Sequence, residues 1–179
     1  MAGITVIGID PGSRFTGWGI VRENAGALSL VDCGLVRAEK GDGASFSTRL
    51  ARIYKGLDEA IKRNAPLEAA MEQIFTAKNA ASALKLGQAR GAAVAACAAN
   101  GLEICDYEPR LVKSGLTGAG AAEKEQVAFM VRRLLNLGAE KYPLDTTDAL
   151  AVAICHLNQR RFARLAANVS PGSNKTVIQ

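Results

Sequence analysis

The chain has 179 residues, which suits a single domain with a sizeable core, and its 49% apolar and 22% charged residues are ordinary for a globular protein. Its net charge of +5 favours a polyanionic partner only weakly, because a merely basic enzyme would carry the same charge. The four cysteines are widely spaced without a CxxC pair, which argues against a zinc site or a disulfide framework. We expect no signal peptide before the first apolar run and no membrane span, since charged residues or glycine interrupt every long apolar stretch.

The first element is a predicted β-hairpin that ends its first strand on a carboxylate. Residues 4–9 form a continuous apolar run, Asp10 follows it, and Pro11 then turns the chain into a second strand at 15–21. A carboxylate at the end of a buried strand is costly unless it is paired or binds a cation. From this stretch alone, Asp10 could equally be a residue that caps the turn.

A third strand and a first helix are predicted next. Residues 28–38 alternate loosely as a strand, and a polar loop follows at 39–45. Apolar residues then recur at helical spacing as far as Asn64, with Ser45 or Ser47 as the candidate N-cap.

A fourth strand is predicted at residues 67–75, and it also carries a carboxylate, Glu72, near its end. Because a strand, a helix and a strand make a crossover unit, this strand should lie parallel to one of the earlier strands.

Residues 77–101 predict a long Ala-rich helix. Gly87 and Gly91 lie on one of its faces and could allow close packing against the sheet or a helix–helix dimer contact, of which the residues alone favour the first. The stretch between residues 73 and 102 has no acidic residue, which is compatible with phosphate contacts, and its basic residues are Lys78, Lys85 and Arg90.

A fifth strand is predicted at 102–108, and residues 110–126 predict a Gly-rich loop that contains Lys113 and Lys124. This loop is not a Walker A motif, because no GK[ST] follows its glycines. Two interpretations remain open: a flexible connection into a helix at 121–137, or a mobile basic loop that closes on a phosphate backbone.

The last predicted helix starts near Pro143 or Leu144 and ends near Arg161. Asp145 and Asp148 are three residues apart in its first turn, so both point to one side. The helix macrodipole alone would favour two acids there. The helix is apolar almost all round, however, and two carboxylates against a core repel each other unless a cation lies between them.

The single histidine, His156, is eleven residues beyond Asp145, about 16 Å along a helix, so it should be structural and not share a metal with that residue. Beyond Arg164 the sequence has no periodicity. We therefore expect a folded domain at 1–164 and a basic, disordered tail at 165–179.

Together these elements place carboxylates on two strands and on the last helix. Three or four carboxylates without His or Cys select hard cations such as Mg²⁺ or Mn²⁺. Two such ions would activate water and stabilise the leaving oxygen in phosphodiester hydrolysis.

From residue 4 to about residue 158, the sequence resembles the RuvC Holliday-junction resolvases. The resemblance rests on four stretches: GIDPGSRFTGWG at the start, EQIFTAKNAASALKLGQARG in the middle, VK with the later AEKEQV, and DTTDALAVAICH near the end. It implies an α/β, RNase H-like fold, with a five-stranded mixed sheet flanked by helices, and a homodimer.

The resemblance also implies roles for individual residues. It implies metal-binding catalytic carboxylates at Asp10, Glu72, Asp145 and Asp148, with Mg²⁺, replaceable by Mn²⁺, as two ions per site. Some relatives have His at the position of Asp145, so Asp keeps the set all-oxygen. It implies basic residues near the scissile phosphate, of which Lys124 is predicted to be catalytic, and an aromatic contact to the junction centre. The predicted DNA-binding residues are Phe75, Lys78, Lys85 and Lys113.

The predicted function is a cytoplasmic, bacterial endonuclease that nicks two strands of like polarity in a four-way DNA junction, in recombination and repair. It would leave 5′-phosphate and 3′-hydroxyl ends and work with a RuvA–RuvB branch-migration complex. Two other classes of protein fit the sequence less well. An actin-like ATPase needs a second domain and a second phosphate loop, and a junction-binding module without catalysis needs no inward carboxylates.

Overall fold

A single sheet of five strands organises the domain. The computed structural model describes residues 3–73, 79–138 and 140–169. The elements in chain order are β1 (Ile4–Asp10), β2 (Phe15–Asn24), β3 (Ala27–Arg37), α1 (Phe46–Asn64), β4 (Glu68–Glu72), α2 (Ala80–Ala99), β5 (Ile104–Tyr107), α3 (Pro109–Thr117), α4 (Lys124–Leu134) and α5 (Leu144–Val169). No helix within those ranges has the length and apolar character to cross a membrane.

The strand order is β3-β2-β1-β4-β5, which confirms the predicted mixed sheet. Strands β1 and β2 pair antiparallel, as the predicted hairpin requires, and β2 also pairs antiparallel with β3. The crossover through α1 brings β4 parallel to β1, and β5 is parallel to β4. Four strands, β1, β3, β4 and β5, therefore end at the same edge of the sheet, which we call the carboxyl edge.

The two faces of the sheet carry different cores because side chains alternate along each strand. On one face, Ile7, Ile9 and Met71 pack with side chains of α1 and α2 such as Leu57 and Ala93. The other face packs against α5, which α3 and α4 cover in turn. Helix α5 thus runs between the sheet and two further helices, which explains its apolar character on nearly every side.

The prediction of a continuous loop at 110–126 is wrong, because α3 occupies most of its first half. Pro109 lies in the first turn of this helix, where its missing N–H costs nothing, and Gly118 ends the helix with a φ of 77°. Val112 and Leu116, four residues apart, are both buried. The glycines therefore terminate a helix, and only the short segment before Lys124 is a loop.

Helix boundaries elsewhere follow recognisable signals. Ser45, one of the two candidate caps, accepts a hydrogen bond from the Thr48 N–H at 3.2 Å. Helix α5 continues to Val169 and not to Arg161, because no glycine or proline interrupts the sequence before Pro171. Residues 170–179 lie outside the described residues, and the division of the chain at residue 164 stays a prediction.

The predicted packing of the α2 glycines against their own sheet is not observed. An added Cβ at Gly87 or at Gly91 would have no atom within 4 Å among the described residues. Side chains from Ala80 to Gln88 are exposed apart from Leu86, and Leu84 is 64% exposed. The small-residue face of α2 is therefore open.

Candidate active site at the carboxyl edge

Asp10 and Glu72 are neighbours because β1 and β4 end together. Ile9 pairs with Met71 in the parallel register, so the next residue of each strand is a carboxylate. Neighbouring strands lie about 4.8 Å apart. Since Ile9 and Met71 face the α1 and α2 side, the alternation directs both carboxylates toward α5.

Three glycines let α5 approach this face at backbone distance. Gly8 and Gly19 are cross-strand partners, and Gly17 is the partner of Asp10. An added Cβ at Gly8 would lie 2.7 Å from the Ala153 nitrogen. At Gly17 an added Cβ would overlap the carbonyl oxygen of Asp145. Glycine inside a strand commonly marks such an approach, and here it brings the first turn of α5 beside Asp10.

Burial and the charges of neighbouring acids raise the pKa values of Asp10, Glu72 and Asp145. Burial is the largest cause at Asp10, the charge of Asp148 is the next, and together with smaller effects they raise its pKa to about 8. Glu72 and Asp145 act on Asp10 in the same direction. Burial, followed by the charge of Asp148, also raises the pKa of Glu72 and that of Asp145. The charge of Asp148 thus contributes to the raised pKa of each of the other three carboxyl groups.

Two lysines face these carboxylates across a cleft between α3, α4 and α5. Glu72, Asp148, Lys113 and Lys124 all line it. The Lys124 ammonium donates to Asp148 Oδ2 at 3.1 Å, and this hydrogen bond is the main reason that the pKa of Lys124 is raised. Lys124 is the first residue of α4, so the position of that helix decides where the ammonium lies.

The chemistry of the donor set fits a hard divalent cation. All four acids supply oxygen. Burial and the negative charge of the neighbouring acids raise the pKa values of Asp10, Glu72 and Asp145, and a cation would relieve that charge. In the described part of the chain, however, no three His, Cys, Asp or Glu side chains are already arranged as ligands around one point. The site is therefore a cluster of carboxylates with the Lys124 ammonium beside it, and its side chains do not form a complete coordination shell.

The remaining predicted DNA-binding residues are elsewhere. Lys85 is exposed on α2, which packs on the opposite face of the sheet, and it does not line the cleft. Phe75 and Lys78 lie outside the described residues, so their roles stay predictions.

His156 anchors the far part of α5, which agrees with the structural role predicted for it. Its side chain is buried, with Nε2 2.7 Å from Glu68 Oε2 and Nδ1 2.8 Å from the Tyr107 hydroxyl. Tyr107 is the cross-strand partner of Glu72. This link between α5, β4 and β5 could not be predicted from the sequence, since no local pattern joins three residues so far apart in the chain.

A family model and curated relatives both match this chain to the RuvC crossover junction endodeoxyribonucleases. The family model described as crossover junction endodeoxyribonuclease RuvC matches residues 6–156. The RuvC of Oleidesulfovibrio alaskensis is 64% identical over 92% of this chain and 97% of its own length.

Solved structures agree with this result. The structure of Thermus thermophilus RuvC in complex with a Holliday junction substrate superposes with a TM-score of 0.82 at 34% identity, over 89% of this chain and 96% of the other. The yeast mitochondrial Holliday junction resolvase has a TM-score of 0.62 at 12% identity, over 92% and 86%, and supports the fold alone. The predicted RNase H-like architecture is thereby confirmed.

Proposed function

This chain belongs to the RuvC family of crossover junction endodeoxyribonucleases, and from that membership we propose that it resolves four-way DNA junctions at the carboxyl edge. It nicks two strands of like polarity and leaves 5′-phosphate and 3′-hydroxyl ends. The observation that carries the assignment of the site is the convergence of strand-end and helix-start carboxylates beside Lys124.

The carboxylates and the lysines of the site have different proposed roles. Nucleases of this family are metal-dependent, and the four carboxylates Asp10, Glu72, Asp145 and Asp148 would hold the metal. We propose Mg²⁺, replaceable by Mn²⁺, as two ions that activate water and stabilise the leaving oxygen. Lys124 would stabilise charge that develops on the phosphate, and Lys113 would bind the backbone beside it.

The direct test compares a labelled four-way junction with a linear duplex of the same sequence, each with Mg²⁺ and with EDTA. We expect paired nicks in the junction with Mg²⁺ alone, and binding of the junction in both solutions. Equal cutting of the linear duplex, or cutting in EDTA, would contradict the proposal.

Lys124→Ala should slow the chemical step rather than weaken binding. A donor aimed at developing charge typically contributes on the order of 10²–10³ to the rate constant of the bound complex. Single-turnover cleavage at saturating enzyme measures that constant directly.

Lys62→Ala is the matched control for Lys124→Ala. Lys62 is similarly exposed and also pairs with an aspartate, Asp58, at 2.8 Å, but it lies on α1 away from the cleft. An unchanged rate constant for Lys124→Ala, or the same loss in both variants, would remove Lys124 from the catalytic group.

We propose that the open face of α2 is the homodimer contact, which would give a two-fold substrate two equivalent sites. Small residues at Gly87 and Gly91, with exposed Leu84 beside them, allow two helices to approach closely.

Gly87→Leu should therefore produce monomers that bind a junction but no longer nick it in pairs. Light scattering gives the mass, and a cruciform plasmid separates paired from single nicks. Gly138→Leu, at an equally open position outside α2, is the control and should remain dimeric. A monomeric wild type that makes paired nicks would contradict the symmetric mechanism.

Three further parts of the proposal concern regions and partners beyond the described site. Phe75 would stack on a base unpaired at the junction centre, and Lys78 and Lys85 would contact its arms. A RuvA–RuvB branch-migration complex would be the partner in the cytoplasm of a bacterial cell. Residues 165–179 would form a basic tail beyond the nuclease domain.

A further inference from the structure

Arg37 lies at the carboxyl edge, on the opposite flank of the carboxylates from the two lysines. It is the last residue of β3, and β3 runs parallel to β1, so both strands end on the same side of the sheet. Along this edge the strand order places Arg37 first, then Asp10 on β1, then Glu72 on β4. Lys113 follows on α3, beyond β5.

The register shows which face of the sheet Arg37 belongs to. Val36, its neighbour, faces α1, because an added Cβ on Gly56 of that helix would lie 2.7 Å from a Val36 methyl carbon. The alternation of side chains directs Arg37 to the other face, which is the face of Asp10 and of α5. Its cross-strand partner is Phe15, two residues before the Gly17 that pairs with Asp10.

The distance from Arg37 to the carboxylates matches a short length of nucleic acid. Two strand spacings are about 10 Å, and two residues along a strand are about 7 Å, so the Cα atoms of Arg37 and Asp10 are roughly 12 Å apart. That is three or four times the 3.4 Å rise per nucleotide of one DNA strand. A strand with its scissile phosphate at Asp10 would thus pass Arg37 within a few nucleotides.

The charge of Arg37 is available to such a strand. Arg14 and Arg49 both pair with Glu39, and Arg52 pairs with Asp42. In the ranges that the structure describes, no carboxylate forms an ion pair with Arg37 or with the nearby Lys40. Both side chains are exposed.

We propose that Arg37 binds a backbone phosphate of the cleaved strand, a few nucleotides from the scissile phosphate on the side away from Lys113. The cleaved strand would then cross the carboxyl edge between two cationic flanks, with the carboxylates in the middle. This inference rests on the proposed function and adds to it the path of the strand. The competing explanation is a solvated surface arginine that contacts nothing.

The test measures junction binding by fluorescence anisotropy in EDTA, as a function of salt, with no cleavage to interfere. Because each protomer of the proposed dimer would lose one phosphate contact, Arg37→Ala should weaken junction binding about 25-fold near 0.1 M salt, which is roughly fivefold per contact. The slope of the log association constant against log salt should become less negative by about 1.8, which is about 0.9 per contact. Arg22→Ala is the matched control. Arg22 is an exposed arginine on β2, seven residues and about 23 Å from Phe15, at the opposite end of the sheet.

To identify the phosphate, a neutral methylphosphonate is placed in turn at each of the four linkages on either side of the scissile phosphate, in both cleaved strands, so that each protomer meets one neutral linkage. At one position the neutral linkage should weaken wild-type binding as much as Arg37→Ala does, and it should not weaken Arg37→Ala further. The proposal would be overturned if the losses of binding from the neutral linkage and from Arg37→Ala were additive at every position. It would also be overturned if Arg22→Ala weakened binding as much as Arg37→Ala does. The binding result is independent of catalysis, so a wild type that binds the junction but never cuts it would contradict the proposed function alone.

Discussion

Asp10→Asn should abolish junction cleavage while leaving junction binding intact. Asn keeps the size of the side chain but cannot supply the negative charge that the metal requires. Loss of one essential catalytic group lowers rate constants on the order of 10³-fold or more. Binding in EDTA should be unchanged below pH 8, where the metal-free Asp10 carboxyl retains its proton, and equal or tighter above pH 8, where removing a carboxylate reduces its repulsion of the phosphates. Single-turnover cleavage and anisotropy in EDTA measure the two effects separately.

Asp58→Asn is the control for this prediction, because Asp58 is an aspartate of α1 that pairs with Lys62. It should cut the junction at the wild-type rate. Full cleavage by Asp10→Asn in Mg²⁺ would remove the carboxylate group from the mechanism.

Thermal unfolding of the metal-free protein gives an independent readout of the same substitution. The folded state retains the Asp10 proton up to a pKa of about 8, whereas the unfolded chain loses it near 3.8. Because the folded state binds more protons between these values, this group makes the fold less stable as pH rises through that window. Asp10→Asn removes that dependence, so its Tm at pH 8 should exceed that of the wild type by at least about 2 °C. A lower Tm at pH 8 would mean that Asp10 is ionised and satisfied without metal.

The strand-end carboxylates could be predicted because their signals are local. An apolar run that stops at Asp10, and another that stops near Glu72, indicate two buried strands with an acid at each end. The helical connection between them then indicates parallel strands, which end at one edge. Asp145 and Asp148 follow from spacing in one helical turn.

The approach of α5 to the sheet could not be predicted in the same way, because it depends on the absence of a side chain at three positions, Gly8, Gly17 and Gly19. The alternating glycines of GWG, with Gly8 opposite, were a signal for close packing, but nothing local says which helix fills the space. Helix α3 was missed for a related reason. The glycines around it indicate a flexible segment when only the sequence is considered, whereas one of them, Gly118, terminates the helix.

Gly17→Ala should therefore disable the site although no charged side chain is altered. The backbone φ of Gly17 lies outside the left-handed region, so alanine is allowed there by conformation. The obstacle is steric: the new Cβ would overlap the Asp145 carbonyl oxygen and lie 2.8 Å from the Thr146 nitrogen. Backbone atoms of a packed helix cannot rotate away as a side chain can, so the start of α5 must shift away from the sheet.

The expected consequence is a loss of cleavage on the order of 10²-fold, the cost of moving catalytic groups by about 1 Å. Overpacking should also destabilise the fold by about 1–3 kcal/mol, or roughly 2–4 °C in Tm for each kcal/mol. Cleavage must be compared per folded molecule, at a temperature well below the Tm of the variant.

Two other glycines calibrate the result of Gly17→Ala. Gly138→Ala, where an added Cβ would have no atom within 4 Å in the part of the chain that the structure describes, should change neither cleavage nor stability. In Gly19→Ala the added Cβ would overlap the side chain of Leu150, and among the nearest atoms the only backbone atom is the Leu150 Cα, at 3.4 Å. This substitution should therefore destabilise the fold but reduce cleavage less than Gly17→Ala does. If Gly17→Ala cuts junctions at the wild-type rate, the position of Asp145 does not depend on this contact. If Gly19→Ala instead loses as much cleavage as Gly17→Ala, the loss reflects general overpacking of the sheet face and not displacement of the first turn of α5.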